Sequence, residues 1–133
     1  MSDINYKVYY INLEHRKDRQ YSILQQLHNV KIPLNKIHRI NAVQHKLSAF
    51  GCLLSHIKTL QRALKDDVDY AVIVEDDFIF NKKIKFKSLL KYLNNFKWDV
   101  CLLDAYKCEL GHKLNSNIFK LNKSGHGASA YII

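Results

Sequence analysis

The stretch Tyr70-Ala71-Val72-Ile73-Val74-Glu75-Asp76-Asp77 decides the fold of this chain. An unbroken apolar run ends abruptly in three acids. Such a run predicts a strand that is covered on both faces, which is typical of parallel sheets. The acidic triplet then follows the carboxyl end of the strand, and this is the edge where α/β sheets bind ligands.

Extended and helical patterns alternate on both sides of this strand. The patterns predict strands at residues 7–13, 36–40, 98–104 and 118–121, helices at 14–29, 48–64 and 85–96, and a last element from 128 to 133. Alternation of this kind predicts an α/β sandwich with a mainly parallel sheet. A length of 133 residues fits a single domain spanning residues 1–133.

The clearest amphipathic helix begins near Ser48, which is a plausible N-cap. Its apolar residues recur at intervals of three and four, a spacing that normally faces the core: Phe50, Leu53, Leu54, Ile57, Leu60 and Leu64. Gly51 lies early in this helix, where glycine costs about 1 kcal/mol relative to alanine. A close approach of neighbouring backbone or of a ligand would explain why it is tolerated.

Composition narrows the class of partner only slightly. Lys and Arg number 21 against 12 acids, a formal charge of +9, which suits nucleic acid, a membrane surface or a phosphorylated substrate. The lysines are scattered through Asn- and Ile-rich stretches, and no zinc or RNA-recognition pattern appears. Nucleic-acid binding is therefore the least favoured alternative.

The cysteines and the apolar segments indicate a compartment. Cys52, Cys101 and Cys108 form no CxxC pair, so we expect reduced, mostly buried thiols and no metal site made from them. No signal peptide pattern and no apolar run of about 20 residues is present, so no membrane span is predicted. The expected location is the cytoplasm or another reducing compartment.

The acidic triplet is the best candidate for chemistry. In an extended chain Glu75 and Asp77 would share one side and Asp76 would point to the other. Carboxylate pairs of this kind hold Mg²⁺ or Mn²⁺, which can bridge two phosphates. A solvated acidic turn is the alternative.

Two further groups of polar residues are candidates for ligand binding. Arg16 and Arg19 follow the first strand where a helix begins, and arginine at such a point suits phosphate oxygens. A local ion pair with Asp18 is the competing interpretation, and from these residues alone it is favoured. Ser55 and His56 flank the apolar stripe of the second helix, where a lone histidine is more often structural than catalytic.

Taken together and in order, the motifs resemble those of glycosyltransferase family 25, which includes lipooligosaccharide and procollagen galactosyltransferases. The similarity spans nearly the whole chain and rests on Tyr10-Ile11-Asn12-Leu13 with Arg16 and Asp18-Arg19, Arg39-Ile40-Asn41-Ala42, Gly51-Cys52 with Ser55-His56, Val74-Glu75-Asp76-Asp77, Trp98-Asp99 and Ala130-Tyr131-Ile132-Ile133.

The resemblance implies a glycosyltransferase-A type fold, a UDP-sugar donor and a divalent metal, usually Mn²⁺ or else Mg²⁺. It implies transfer of galactose or glucose, with inversion, to a hydroxyl of a sugar or of hydroxylysine in a glycan or glycoprotein acceptor. By position, the metal ligands would come from Glu75, Asp76 and Asp77, with Asp77 as the main ligand and Glu75 or Asp76 assisting. Asn12, Leu13, Arg16, Arg19, Ser55 and His56 would form the donor site.

Two departures from the family pattern limit these expectations. Ala49 stands where family members often have an acid, and the family domain usually continues beyond the Ala130-Tyr131-Ile132-Ile133 segment. We therefore expect either a fragment or a short form that lacks part of the acceptor site. Within the chain, Asp104 is the only strand-end candidate for the catalytic base. A non-catalytic nucleotide-sugar binder is the alternative function, and homo-oligomerisation stays open.

Overall fold

A five-stranded sheet with helices on both faces forms the body of the protein, beside a separate two-stranded sheet. The computed structural model describes residues 3–104, 108–115, 117–122, 127 and 129–133. The elements are β1 (Tyr6–Asn12), α1 (Lys17–Asn29), a 3-10 turn (Leu34–Lys36), β2 (Ile37–Asn41), α2 (Ser48–Asp66), β3 (Tyr70–Glu75), α3 (Phe86–Leu93), β4 (Cys101–Leu102), β5 (Leu110–Lys113), β6 (Phe119–Leu121) and β7 (Ala130–Ile132). The predicted α/β class is confirmed.

The main sheet is mixed rather than mainly parallel. Its strand order is β2-β1-β3-β7-β4. β1 pairs in parallel with both β2 and β3, whereas β7 pairs antiparallel with β3 and β4. The expected parallel arrangement is therefore found for β2, β1 and β3 but not for β7, because a short apolar segment such as Ala130–Ile132 carries no signal for its direction.

The alternation of side chains along β1 builds two cores. Val8 and Tyr10 face α1 and α3, where they pack with Ile23, Leu27 and other apolar residues. Tyr9 faces the opposite side and packs in the second core, to which α2 contributes Ala63. Successive residues of a strand point to opposite faces, so β1 needs apolar residues at nearly every position.

Helix α2 buries the face opposite to the apolar stripe that the sequence predicted to be buried. The exposed side chains include Phe50, Leu53, Ile57, Leu60 and Leu64. The buried face instead consists of small or polar residues: Gly51, Ser55, His56, Thr59 and Ala63. Small side chains allow the helix to lie close to the neighbouring backbone, so the inner face is selected by space rather than by hydrophobicity.

Several predicted boundaries also change. Ser48 is the first residue of α2 and not its N-cap, since Leu47 occupies the cap position without a side-chain hydrogen bond. The strand predicted at 98–104 shrinks to Cys101–Leu102, and the segment at 118–121 pairs with β5, which the sequence did not reveal. Part of the last predicted element, residue 128, lies outside the described residues.

Asp66, the last residue of α2, connects this helix to β1 through polar contacts. Its carboxylate accepts hydrogen bonds from Tyr9 Oη at 2.8 Å and Arg62 Nε at 3.0 Å, and it lies 3.2 Å from Lys7 Nζ. Burial opposes the charged form, but these three donors outweigh it and lower the pKa of Asp66 to about 2. The cluster therefore stabilises the folded state only while the carboxylate is ionised.

We expect the Asp66→Asn variant to unfold more easily at neutral pH, by about 1–2 kcal/mol, because three donors lose their charged acceptor. The pKa of Asp66 is depressed in the folded state, so its contribution is present above the unfolded value of 3.8 and is lost as the pH falls towards about 2. Denaturant titrations across this window should show wild type and variant converging in acid. A constant difference at every pH would contradict the assignment.

The strand order places a crevice between β1 and β3. From β1 the chain moves outward to β2 and then crosses back to β3 on the other side of β1. Loops that follow β1 and β3 therefore diverge and leave space at their carboxyl ends, as expected at a topological switch point. Among the described residues, no helix is both long and apolar enough to cross a membrane.

Candidate active site

A cleft of about 580 Å³ lies at this switch point, within the size range of small-molecule sites. Three loops, the first turn of α1 and the first half of α2 form its wall. Its lining residues are Ile11, Leu13, Arg19, Ala42, Val43, Gln44, His45, Lys46, Ser48, Gly51, Cys52, Ser55, His56, Glu75, Asp76 and Asp77. The cleft thus brings together the acidic triplet, Leu13, Arg19, Ser55 and His56 from the predicted site.

The three acids of the triplet take different directions. Glu75 is the last residue of β3 and points to α2, where His56 Nε2 is 3.1 Å from its Oε1. Asp76 is buried and accepts a 2.8 Å hydrogen bond from Asn12. Asp77 lies in the following turn, 3.7 Å from Arg19 Nη1, which is also 3.4 Å from Asp76. Asp76 and Asp77 thus share the Arg19 guanidinium, whereas Glu75 is bonded to His56. That Glu75 and Asp77 act together on one ion stays a prediction.

Asn12 is the junction between the parallel strands. Its Nδ2 donates to Asp76 Oδ2 and to the Arg16 carbonyl, and its Oδ1 accepts from Arg39 Nε at 3.0 Å. The Asn12 carbonyl oxygen accepts from Arg39 Nη2 and from the Ala42 amide. Asn12 does not line the cleft and supports it through its hydrogen bond to Asp76. The family resemblance had implied that Asn12 belongs to the donor site.

The two predicted arginines have different environments. Arg19 lines the cleft and faces Asp76 and Asp77. Arg16 precedes α1 and pairs with Asp18 at 2.6 Å, outside the cleft lining. The hydrogen bond from Arg16 is the main cause that lowers the pKa of Asp18 well below its usual range. For Arg16 the local ion pair is therefore observed, and for Arg19 the position suits an anionic ligand.

Ser55 and Gly51 fix the loop that precedes α2. Ser55 Oγ accepts a hydrogen bond from the Val43 amide at 2.8 Å and donates to the Gly51 carbonyl at 2.7 Å. A Cβ on Gly51 would lie only 2.8 Å from the Val43 carbonyl oxygen. The expected close approach of backbone at this glycine is therefore observed. Ser55 is a positioning residue for the cleft wall.

His56 lies between the end of β3 and Tyr131 of β7. Its Nδ1 is 2.8 Å from the Tyr131 hydroxyl, and the two rings stack. The hydrogen bond with His56 lowers the pKa of Glu75, although burial opposes this effect. Burial and then the charge of Glu75 raise the pKa of Tyr131 to about 12. At neutral pH the Glu75 carboxylate is therefore ionised, and the Tyr131 hydroxyl keeps its proton.

Cys52 completes this group. Its thiol donates to Glu75 Oε1 at 3.3 Å, and burial together with that bond raises its pKa to about 11. Cys52 is exposed, and Cys101 and Cys108 are half-buried. The expectation of mostly buried cysteines is wrong. The spacing of Cys52 and His56, four residues apart in one helix, is the signal that predicts their proximity.

Asp104 stands apart from the cleft. It is exposed, follows the short strand β4 and does not line the cleft. β4 is two strands away from β3, or about 10 Å at the usual strand spacing. Its role as a base stays a prediction. The sequence missed the loop from Val43 to Lys46, although a loop that follows a strand end is a general place for ligand contacts.

A family model described as glycosyltransferase family 25 (LPS biosynthesis protein) matches residues 34–133. The chain belongs to glycosyltransferase family 25. A search of curated proteins gives no significant match. The matched span includes α2, the triplet and β7, whereas β1 and Arg19 precede it. Family 25 membership confirms the resemblance and assigns the chain to the transferases, which use a donor and an acceptor, with a link to lipopolysaccharide biosynthesis.

Proposed function

We propose that this family 25 chain binds a UDP-sugar in the cleft and transfers a hexose, galactose or glucose, to a hydroxyl group of a glycan or glycoprotein. The observation that supports this most is the meeting of Arg19 with Glu75, Asp76 and Asp77 in one cleft at the switch point. A cation and several carboxylates at one site suit a diphosphate with its metal ion. The family resemblance implies a glycosyltransferase-A type fold, in which the donor would lie at this edge of the sheet.

Arg19 is the residue that we assign to the donor phosphates. Its side chain is 41% exposed, and its guanidinium lies beside the carboxylates of Asp76 and Asp77. Guanidinium groups bind phosphate oxygens through two parallel hydrogen bonds. The amino end of α1 is near and favours negative charge as well. Leu13 would contribute an apolar contact to the base or ribose.

The oxygen atoms at this edge suit Mn²⁺ or Mg²⁺, which the family resemblance implies. Asp77 has 54% of its side chain exposed. Both side-chain hydrogen bonds that Glu75 accepts from described residues fall on Oε1, so Oε2 is the oxygen that would face an ion. Asp77 and Glu75 would hold the ion, and Asp76, bonded to Asn12, would position the turn. Such an ion neutralises the charge that develops on a departing diphosphate.

The proposed chemistry is an in-line displacement at the anomeric carbon with inversion. A carboxylate removes the proton from the acceptor hydroxyl while the sugar–phosphate bond breaks and UDP leaves. Asp104 is the candidate for this base in the described part of the chain, and it would have to act on an acceptor that extends beyond the cleft. His56 keeps Glu75 ionised and oriented, so it is a positioning residue in this scheme.

Calorimetric titration with UDP tests the donor site. In Mn²⁺ we expect binding, and after chelation an affinity lower by about tenfold or more, because the ion links the diphosphate to the carboxylates. The absence of heat at millimolar UDP would refute the proposal. Release of UDP from UDP-galactose or UDP-glucose then separates a working enzyme from a binder without turnover, and it identifies the preferred sugar.

A further inference from the structure

Three different ligand atoms converge on the inner side of the cleft. Cys52 Sγ and His56 Nε2 lie 3.3 and 3.1 Å from Glu75 Oε1. All three atoms are within 4.8 Å of one another. Cys52 and His56 come from successive turns of α2, and Glu75 ends β3, so two rigid elements hold the group.

The separations match those of ligands around one tetrahedral metal ion. Zinc–sulfur bonds of about 2.3 Å and zinc–nitrogen or zinc–oxygen bonds of about 2.1 Å give tetrahedral edges of about 3.6 Å for sulfur–oxygen and about 3.4 Å for nitrogen–oxygen. The observed distances of 3.3 and 3.1 Å are shorter by a few tenths of an ångström. Small side-chain movements are therefore enough to admit an ion.

The outer contacts of His56 orient it as a metal ligand. Its Nδ1 meets the Tyr131 hydroxyl at 2.8 Å, and stacking on the Tyr131 ring fixes the plane of the imidazole. Histidines that bind metals commonly use the second ring nitrogen in this way. Without an ion, the favourable tautomer has Nε2–H donating to Glu75 Oε1 and Nδ1 accepting from the Tyr131 hydroxyl. When an ion binds Nε2, the imidazole proton is carried on Nδ1 instead and donates to Tyr131.

We propose that Cys52, His56 and Glu75 form a binding site for a borderline-soft divalent cation of the zinc class. Thiolate and imidazole select such ions over Mg²⁺ and Mn²⁺. On binding, the Cys52 S–H bond breaks, a sulfur–metal bond forms and the proton passes to water. Three protein ligands leave a fourth position open to the cleft, and exposed Cys52 gives the ion a path of entry.

The site needs no nucleotide, but it shares Glu75 with the proposed donor site. A zinc-class ion that occupies Glu75 would compete with the hard cation that Asp77 and Glu75 would hold. This consequence rests on the proposed function, whereas the site for a soft cation formed by Cys52, His56 and Glu75 (the soft site) does not. Zinc is therefore expected to weaken manganese-dependent UDP binding without unfolding the chain.

Titration of the tag-free, metal-free and reduced chain with Co²⁺ tests the site, because cobalt replaces zinc and absorbs light. We expect a thiolate-to-cobalt charge-transfer band in the near ultraviolet that saturates at one equivalent and disappears when Zn²⁺ is added. The Cys52→Ser variant should lose this band, and the matched Cys101→Ser variant should keep it. Circular dichroism establishes that each variant is folded.

Absence of a thiolate band in the folded wild-type chain, or an unchanged band in Cys52→Ser, would overturn this assignment. Failure of the donor site is separable from failure of the soft site. The Asp77→Asn variant should keep the cobalt band, because Asp77 is not one of the three converging ligands. A chain that binds Co²⁺ through Cys52 but ignores UDP would refute only the proposed function.

Discussion

The Asp77→Asn variant is expected to lose most of its manganese-dependent affinity for UDP, by about tenfold to a hundredfold, which equals about 1.4–2.8 kcal/mol. The affinity that remains should no longer respond to Mn²⁺. Calorimetric titration with UDP, with and without the ion, measures both quantities.

The size of this effect follows from the different environments of the three acids. Asp76 is buried and bonded to Asn12, and Glu75 is bonded to His56 and Cys52. Asp77 is the most exposed of the three, and its ion pair with Arg19 is long at 3.7 Å. A hard cation in the cleft would therefore draw most on Asp77, and an amide is a much weaker ligand than a carboxylate.

Asp3→Asn is the matched control, since it removes the same charge at the opposite edge of the sheet, before β1 begins. It should bind UDP as the wild type does. If Asp77→Asn binds UDP with full affinity and full response to Mn²⁺, the metal does not use this carboxylate. An equal loss in both variants would indicate a general charge effect instead.

Replacement of Asn12 by alanine is expected to give a large loss of stability, about 2–4 kcal/mol in the free energy of unfolding. Asn12 is 1% exposed, so water does not replace its lost hydrogen bonds. Buried Asp76 would lose its 2.8 Å donor, and the Arg39 guanidinium would lose its acceptor Oδ1. Both partners carry charge, which makes the loss larger than for a neutral pair.

Denaturant unfolding followed by circular dichroism measures this change, with Asn35→Ala as the control. Asn35 is exposed in the 3-10 turn, and its replacement should change stability by less than about 0.5 kcal/mol. Asn12→Asp keeps the shape but removes the donor and sets a second carboxylate against Asp76. If Asn12→Asp is as stable as the wild type, shape alone matters and the hydrogen-bond junction is refuted.

The sequence predicts those parts of the fold that depend on continuous or ordered patterns. The run at Tyr70–Glu75 is a strand between two layers, and the acids follow its carboxyl end. The family resemblance is confirmed by the match of the family model. It could be found from the sequence because several motifs in a fixed order are more specific than any one of them. Gly51 marks a close backbone approach, as expected.

Features that depend on tertiary contacts were not predictable. Nothing in the apolar segment Ala130–Ile132 gives its antiparallel direction. The role of Asn12 depends on which partners the fold supplies, because it meets Asp76 from 64 positions away. The local pair of Arg16 with Asp18, by contrast, is the interpretation that the residues alone favour, and only the family resemblance assigned Arg16 to the donor site. The convergence of Cys52 with Glu75 likewise joins residues 23 positions apart, so spacing rules for cysteine pairs do not detect it.

Helix α2 separates hydrophobicity from constraint. Substitution tolerance along it should run opposite to its hydropathy, because Leu53 and Leu64 face solvent whereas Gly51, Ser55 and Thr59 touch other backbone or are buried. Substitutions that accumulate in this helix would then affect its apolar residues first and its small polar residues last. A designer who repacks α2 by hydropathy would preserve the wrong face, whereas the exposed Leu53 and Leu64 lie outside the cleft lining.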